Sequence, residues 1–300
     1  MPYKHNDAKR HHFKKHTYAL NNYREYNQAL RQRGRFDIWI SEDIIKHWQH
    51  DDRVYDGTGS SVKYPDSTIE ACHYIRLVYK FPLRQAQGLI ENLLMKLGMD
   101  NLQCPDYTLL SKRLKQLNLT APRFRKHEMP DDKMAAIAID STGLKRFGKD
   151  EWHQEKHKVN AKRSWRKAHF AVDEGHFIQS AVLTDKMYDT NMVYQTLEAH
   201  FPNAEIVIPP KDNTFADEAH HPKRMSNLIG CFALGIIGWQ SVRQYGKRNI
   251  SETAMQRYKK IIGNTLHSRK FKNQSKEMLL GCSILNRFTH LGMPNSYRAA

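Results

Sequence analysis

The sequence predicts an α/β protein, a mixed sheet preceded by an α-helical, helix-turn-helix-like region. Between Ser67 and Leu117 apolar residues recur at spacings of three and four. From Met134 onward the pattern changes to short apolar runs bounded by turn residues. The order that follows, three strands, a helix, a strand and a helix, is that of a mixed α/β domain.

Each element has a local cause. Met1 to Arg35 carries nine Lys/Arg against Asp7 and Glu25, so residues 1–60 read as a basic amino-terminal arm. It closes on the loop-like run Asp56-Gly57-Thr58-Gly59-Ser60-Ser61. Residues 61–125 form the helical region. Ile69, Cys72, His73 and Leu77 line a first helix, and Phe81-Pro82-Leu83 interrupts it. Leu89, Leu93, Leu94 and Leu97 line a second, stopped by Gly98. Pro105-Asp106 opens a third, with Leu109, Leu110, Leu114 and Leu117 inward and Lys112, Arg113 and Lys115 outward. Three short helices ending in a basic one suit DNA binding, although ordinary helical cores carry basic faces too.

Residues 130–300 form the α/β domain. Ala135 to Asp140 is a buried strand ending on an acid, Trp165 to Asp173 a second and Phe177 to Thr184 a third. Asp173-Glu174-Gly175-His176 is the hairpin turn between the last two. Thr190 to His200 reads as a helix, Glu205 to Pro209 as a fourth strand, and the remainder as mostly helical.

Composition excludes several classes. A net charge of +17 on 300 residues points to a polyanionic partner, and 40% hydrophobic residues are too many for a disordered tail. The longest uncharged apolar run, Leu228 to Trp239, is too short to span a bilayer, and no apolar leader precedes Lys9-Arg10-His11-His12. Cys72, Cys104, Cys231 and Cys282 are scattered without a CxxC pair, the pattern of a reduced protein without structural zinc. A cytoplasmic protein with no membrane partner is expected.

Two features carry candidate chemistry. Asp140 closes a buried strand before Ser141-Thr142-Gly143, where α/β sheets place ligand sites; taken alone it reads more simply as a turn or N-cap acid. Tyr245, Arg248, Glu252 and Lys259 fall within roughly a 60° arc of a helix, opposite Ile250, Ala254, Tyr258 and Ile261. Such a stripe is ordinarily solvated. Glu252, however, is the only acid between Arg243 and Lys272, an interval with nine Lys/Arg. A lone carboxylate among cations suits a metal ligand surrounded by phosphate-binding groups.

The spacing Tyr245-x2-Arg248-x3-Glu252-x6-Lys259 resembles the signature of bacterial insertion-sequence DDE transposases. Ile139-Asp140-Ser141-Thr142, Arg163 to His169, Ile208-Pro209-Pro210-Lys211, Ile284 to Phe288 and Tyr23 to Gly34 resemble further family segments, so the likeness covers nearly the whole chain. It implies a ribonuclease-H-like catalytic domain, with Asp140 and Glu252 as its first and third metal-binding acids. Three such acids hold two Mg²⁺ or Mn²⁺ ions that activate the nucleophile and stabilise the leaving oxygen. The resemblance further implies that Arg248 and Lys259 hold phosphates, that Tyr245 packs against DNA, and that a homodimer works on double-stranded element ends and target DNA near the nucleoid.

The second acid departs from the family pattern. In Thr184-Asp185-Lys186-Met187-Tyr188-Asp189-Thr190 the end of one family segment runs into the start of another. Asp185 fits best as the acid and Asp189 second. The chain is thus expected to be internally shortened near 185–189. His153 and His157, four apart, read as a basic connector before a metal pair. Three activities share these features: a transposase performing strand cleavage and transfer, a catalytically impaired DNA-binding remnant, and a metal-dependent nuclease without strand transfer.

Overall fold

The computed structural model describes residues 17–49, 64–125, 137–146, 165–184, 194–195, 198–199, 206–207, 221–243 and 249–299. The first half contains β1 (Tyr18–Leu20), α1 (Tyr23–Arg33), α2 (Glu42–Lys46), α3 (Asp66–Val78), α4 (Leu83–Lys96) and α5 (Tyr107–Leu114). The second contains β2 (Ile137–Arg146), β3 (Trp165–Asp173), β4 (Ile178–Thr184), α6 (Pro222–Val242), α7 (Asn249–Ile261), β5 (Thr265–Leu266), α8 (Phe271–Leu291) and β6 (Ser296–Arg298). Helices and a mixed sheet make this an α/β protein.

The expected helices form for the expected reasons. Pro82 starts α4, Gly98 with φ 71° ends its last turn, and the Asp106 carboxylate caps α5 by accepting the Thr108 N–H at 2.7 Å. Two expectations are corrected. Arg113 is buried, donating to the Tyr64 carbonyl at 3.0 Å and to Asp66 at 2.8 Å, so only Lys112 and Lys115 remain outward on α5. Residues 17–49, expected to belong to a solvated arm, instead carry α1 and α2 and bury Trp39 and Trp48. The Trp48 indole donates to the Gln103 carbonyl at 2.8 Å. Two indoles outweigh the surrounding charge, because their buried area exceeds that of several smaller side chains.

The sheet has the order β4-β3-β2-β5. β2, β3 and β4 are antiparallel, and β5 pairs parallel with Lys145 and Arg146 of β2. The β3–β4 turn is where it was expected. Asp173 Oδ1 accepts the Phe177 N–H at 2.9 Å, and His176 takes φ 65°. β2 runs beyond Asp140 to Arg146, because β3 supplies cross-strand partners as far as Lys145↔Trp165. Ser141-Thr142-Gly143 therefore continues the strand, and Asp140 lies inside it. Of the expected strand at 205–209, the described Ile206 and Val207 are in no strand. Of the expected helix at 190–200, residues 194–195 and 198–199 are helical.

α8 joins the two halves. It packs against β4, α1, α3 and α7. Its buried Asn286 accepts the Ile178 N–H at 2.7 Å and donates to the carbonyls of Ile178 and Arg123 at 3.0 Å, leaving no amide group wasted. One hydrophobic cluster extends from Trp39 through Ile75 and Leu110 to Phe170 and Leu285.

By length and composition, α6 is apolar enough to cross a membrane, but it is not a straight rod. Gly235 takes φ 67° and ψ 164°, a region essentially restricted to glycine. Arg243 reaches the Ser226 hydroxyl at 3.4 Å, across seventeen residues that a straight helix would spread over roughly 25 Å. A Cβ on Gly230 would lie 2.7 Å from Trp239 Cδ1. The segment is a tight helical hairpin with Phe232 (85% exposed) and Ile237 (84%) near its tip.

Candidate active site

Asp140 is only 8% exposed. Its Oδ1 accepts the Ser141 N–H at 2.7 Å. In the β2–β3 register it stands opposite Phe170, and directly opposed residues share a face of the sheet. The Phe170 ring lies 5.3 Å from that of Tyr258, so this is the face that α7 covers.

α7 buries Ser251, Ala254, Met255 and Tyr258, a run spaced three and four. Ile250 and Ile261, expected within the buried face, are half-buried at its margins. Glu252 lies in the first turn and Lys259 in the last, both exposed. They differ by about 20° around the helix and about 10 Å along it. α7 leads through Gly263 into β5, where the Asn264 carbonyl accepts the Lys145 N–H at 2.8 Å. The carboxyl end of α7 therefore sits at the Arg146 end of β2. From there α7 packs on both β2 and β3, with Glu252 in its first turn.

Tyr245, Arg248, Asp185, Asp189, His153 and His157 lie outside the described residues. Thr184, the last residue of β4, is paired with Lys167, which is paired with Gly143. It thus stands level with Gly143 and two strands away, about 10 Å across the sheet. Asp140 and Glu252 offer hard carboxylate oxygens, the donor type that divalent cations such as Mg²⁺ take. Among the described residues no three His, Cys, Asp or Glu side chains gather as a metal site.

His169 ends the family-like segment Arg163 to His169, but nothing in the sequence assigns it chemistry. It stands opposite Ser141, its Nε2 lies 2.9 Å from the Thr184 hydroxyl, and Asp140 acts on it electrostatically. Burial, assisted by Lys167 and opposed by Asp140, lowers its pKa to about 4, so it is neutral at physiological pH. Strand register sets His169 one position from the Asp140–Phe170 pair, on the opposite face of the sheet; no local spacing singles it out.

A family model described as a transposase DDE domain matches residues 31–149, and a second of the same description matches residues 131–237. No solved structure matches the chain. The first match runs from α1 through β2, and the second takes in β2, β3, β4 and most of α6. Glu252 and Lys259 lie beyond both. The overlapping matches make the chain a member of the DDE transposase family.

Proposed function

We propose that the chain acts on the double-stranded ends of an insertion sequence, binding them and directing metal-dependent strand cleavage and transfer. The observation that carries this reading is the pair of transposase DDE matches meeting on β2, the strand that contains Asp140. Residues 130–300 would be the ribonuclease-H-like catalytic domain and residues 61–125 the helix-turn-helix-like DNA-recognition part. Residues 1–60 would add basic surface to the latter.

Asp140, Asp185 and Glu252 are the residues assigned to hold two Mg²⁺ or Mn²⁺ ions. Bound there, such ions supply activation of a water or 3′-hydroxyl and neutralise the leaving oxygen. The protein positions the strand. Lys259, two turns beyond Glu252 on the same stripe, would hold a phosphate about 10 Å from the cutting point. Arg248 would hold another, and Tyr245 would pack on the DNA. A homodimer would bring two ends together.

A second reading, a catalytically impaired remnant, is favoured by the sheet. Among the described residues, β2 is paired on its free side only at Lys145 and Arg146. Thr184, the end of β4, stands about two strands from β2, and Asp185 follows it in the sequence; an acid supplied from the end of β4 would start from the wrong strand to meet Asp140. We therefore infer an internal shortening near 185–189.

The test is strand cleavage of the element's inverted ends with Mg²⁺ or Mn²⁺. Glu252→Gln keeps shape but removes a metal-binding charge. It is expected to lower whatever cleavage the parent shows by about a hundred-fold or more, while DNA affinity holds or rises. Parent-like cleavage by Glu252→Gln would remove Glu252 from the site.

A further inference from the structure

Between α5 and the amino end of α8 the surface opens into a cavity of about 440 Å³. Lys112, in the last turn of α5, and Lys115, just past its end, are exposed and form one wall. Arg269 and Lys270, exposed just ahead of α8, form the other, and Arg76 reaches in from α3. None of the residues lining it is acidic.

The two walls are held in place. The Asn273 side chain of α8 donates to the Ser111 carbonyl of α5 at 3.2 Å. Behind them, buried Glu277 accepts the N–H groups of His267 and Ser268 at 2.9 and 2.8 Å, fixing the segment that carries Arg269 and Lys270. Glu277 lies 3.7 Å from Arg76 and lines the adjoining cavity. α8 begins without a side-chain cap and with no acid in its first turn, so its positive end adds to the same field. Clustered cations in a rigid cleft repel one another, and a polyanion relieves that cost.

We propose that this groove grips backbone phosphates of duplex DNA, with α5 and the amino end of α8 as its jaws. The proposal rests on the transposase reading for the identity of the polyanion and adds a DNA-gripping surface whose lining includes neither Asp140 nor Glu252. Phosphate contacts carry no sequence information, so a duplex of arbitrary sequence is a sufficient probe.

The experiment titrates the full chain against a duplex of about 30 base pairs at salt concentrations from about 50 to 200 mM. Each phosphate neutralised by the protein contributes about 0.9 to the slope of log affinity against log salt. Replacing Lys112, Lys115, Arg269 and Lys270 together by Ala is therefore expected to lower that slope by about 2–4. Affinity at the middle of the range should fall at least about ten-fold. The pairs Lys112→Ala/Lys115→Ala and Arg269→Ala/Lys270→Ala, made separately, should each give part of the effect. All four side chains are exposed, so thermal melting should not move. Lys46→Ala/Lys96→Ala, exposed cations outside the groove, should change the slope by less than half as much. A groove variant with the parent's slope and affinity overturns the inference and leaves the transposase reading standing. A parent chain that does not bind duplex DNA at low salt overturns both.

Discussion

His73 shows what single residues contribute to pH behaviour. It is fully buried on α3, and its Nε2 lies 3.2 Å from the Leu110 carbonyl, which can only accept, so Nε2 carries the proton. Among the described residues Nδ1 has no hydrogen-bond partner. Burial, helped by nearby Arg76, lowers its pKa from the ordinary 6.5 to about 3. A lowered histidine pKa means that the unfolded chain binds the proton more readily. Its contribution is complete above about pH 6.5 and is lost as pH falls toward 3, at up to about 1.4 kcal/mol per pH unit. Denaturant melts at pH 7.5 and 5 should show this acid loss, and His73→Gln, which retains a donor for Leu110, should flatten it by nearly one proton. Equal acid sensitivity in the variant would remove His73 as its source. The periodicity of α3 marked His73 as inward-facing, but its partner comes from α5, thirty-seven residues away.

At the scale of elements, the placement of α7 depends on a glycine in its neighbour. A Cβ at Gly281 of α8 would meet Tyr258 of α7 at 2.7 Å from Cε2 and 2.9 Å from the hydroxyl. The Tyr258 ring in turn packs on Phe170. Gly281→Val should push α7 off the sheet and cost about 2–3 kcal/mol in chemical denaturation. A variant as stable as the parent would mean that α7 is not held through this contact. The buried run of α7 was legible from its spacing, with Ile250 and Ile261 shifted to its edges. The path of α6 was not legible: composition describes an apolar helix, whereas Gly235 and the Trp239–Gly230 contact fold it back.

For the whole molecule, the side of β2 away from β3, paired among the described residues only at Lys145 and Arg146, bears on activity. If the second acid leaves from β4 rather than from a strand beside β2, three carboxylates cannot meet, and misplacements of even about 1 Å cost about a hundred-fold. The chain is therefore expected to bind DNA yet to cleave its ends at near-background rates under saturating binding; efficient cleavage would refute the shortening. The sequence by itself determined the α3–α5 helices, the β3–β4 hairpin and the likeness to DDE transposases, because each rests on near neighbours in the chain or on fixed spacing. Tertiary structure alone decided that Arg113 is buried, that Trp39 and Trp48 join the core of the sheet, and that Asp140 lies on the face α7 covers. It alone brought Lys112 and Lys115 opposite Arg269 and Lys270. Burial and electrostatic fields are set by groups distant in sequence, and their positions exist only once α8 has packed the helices against the sheet.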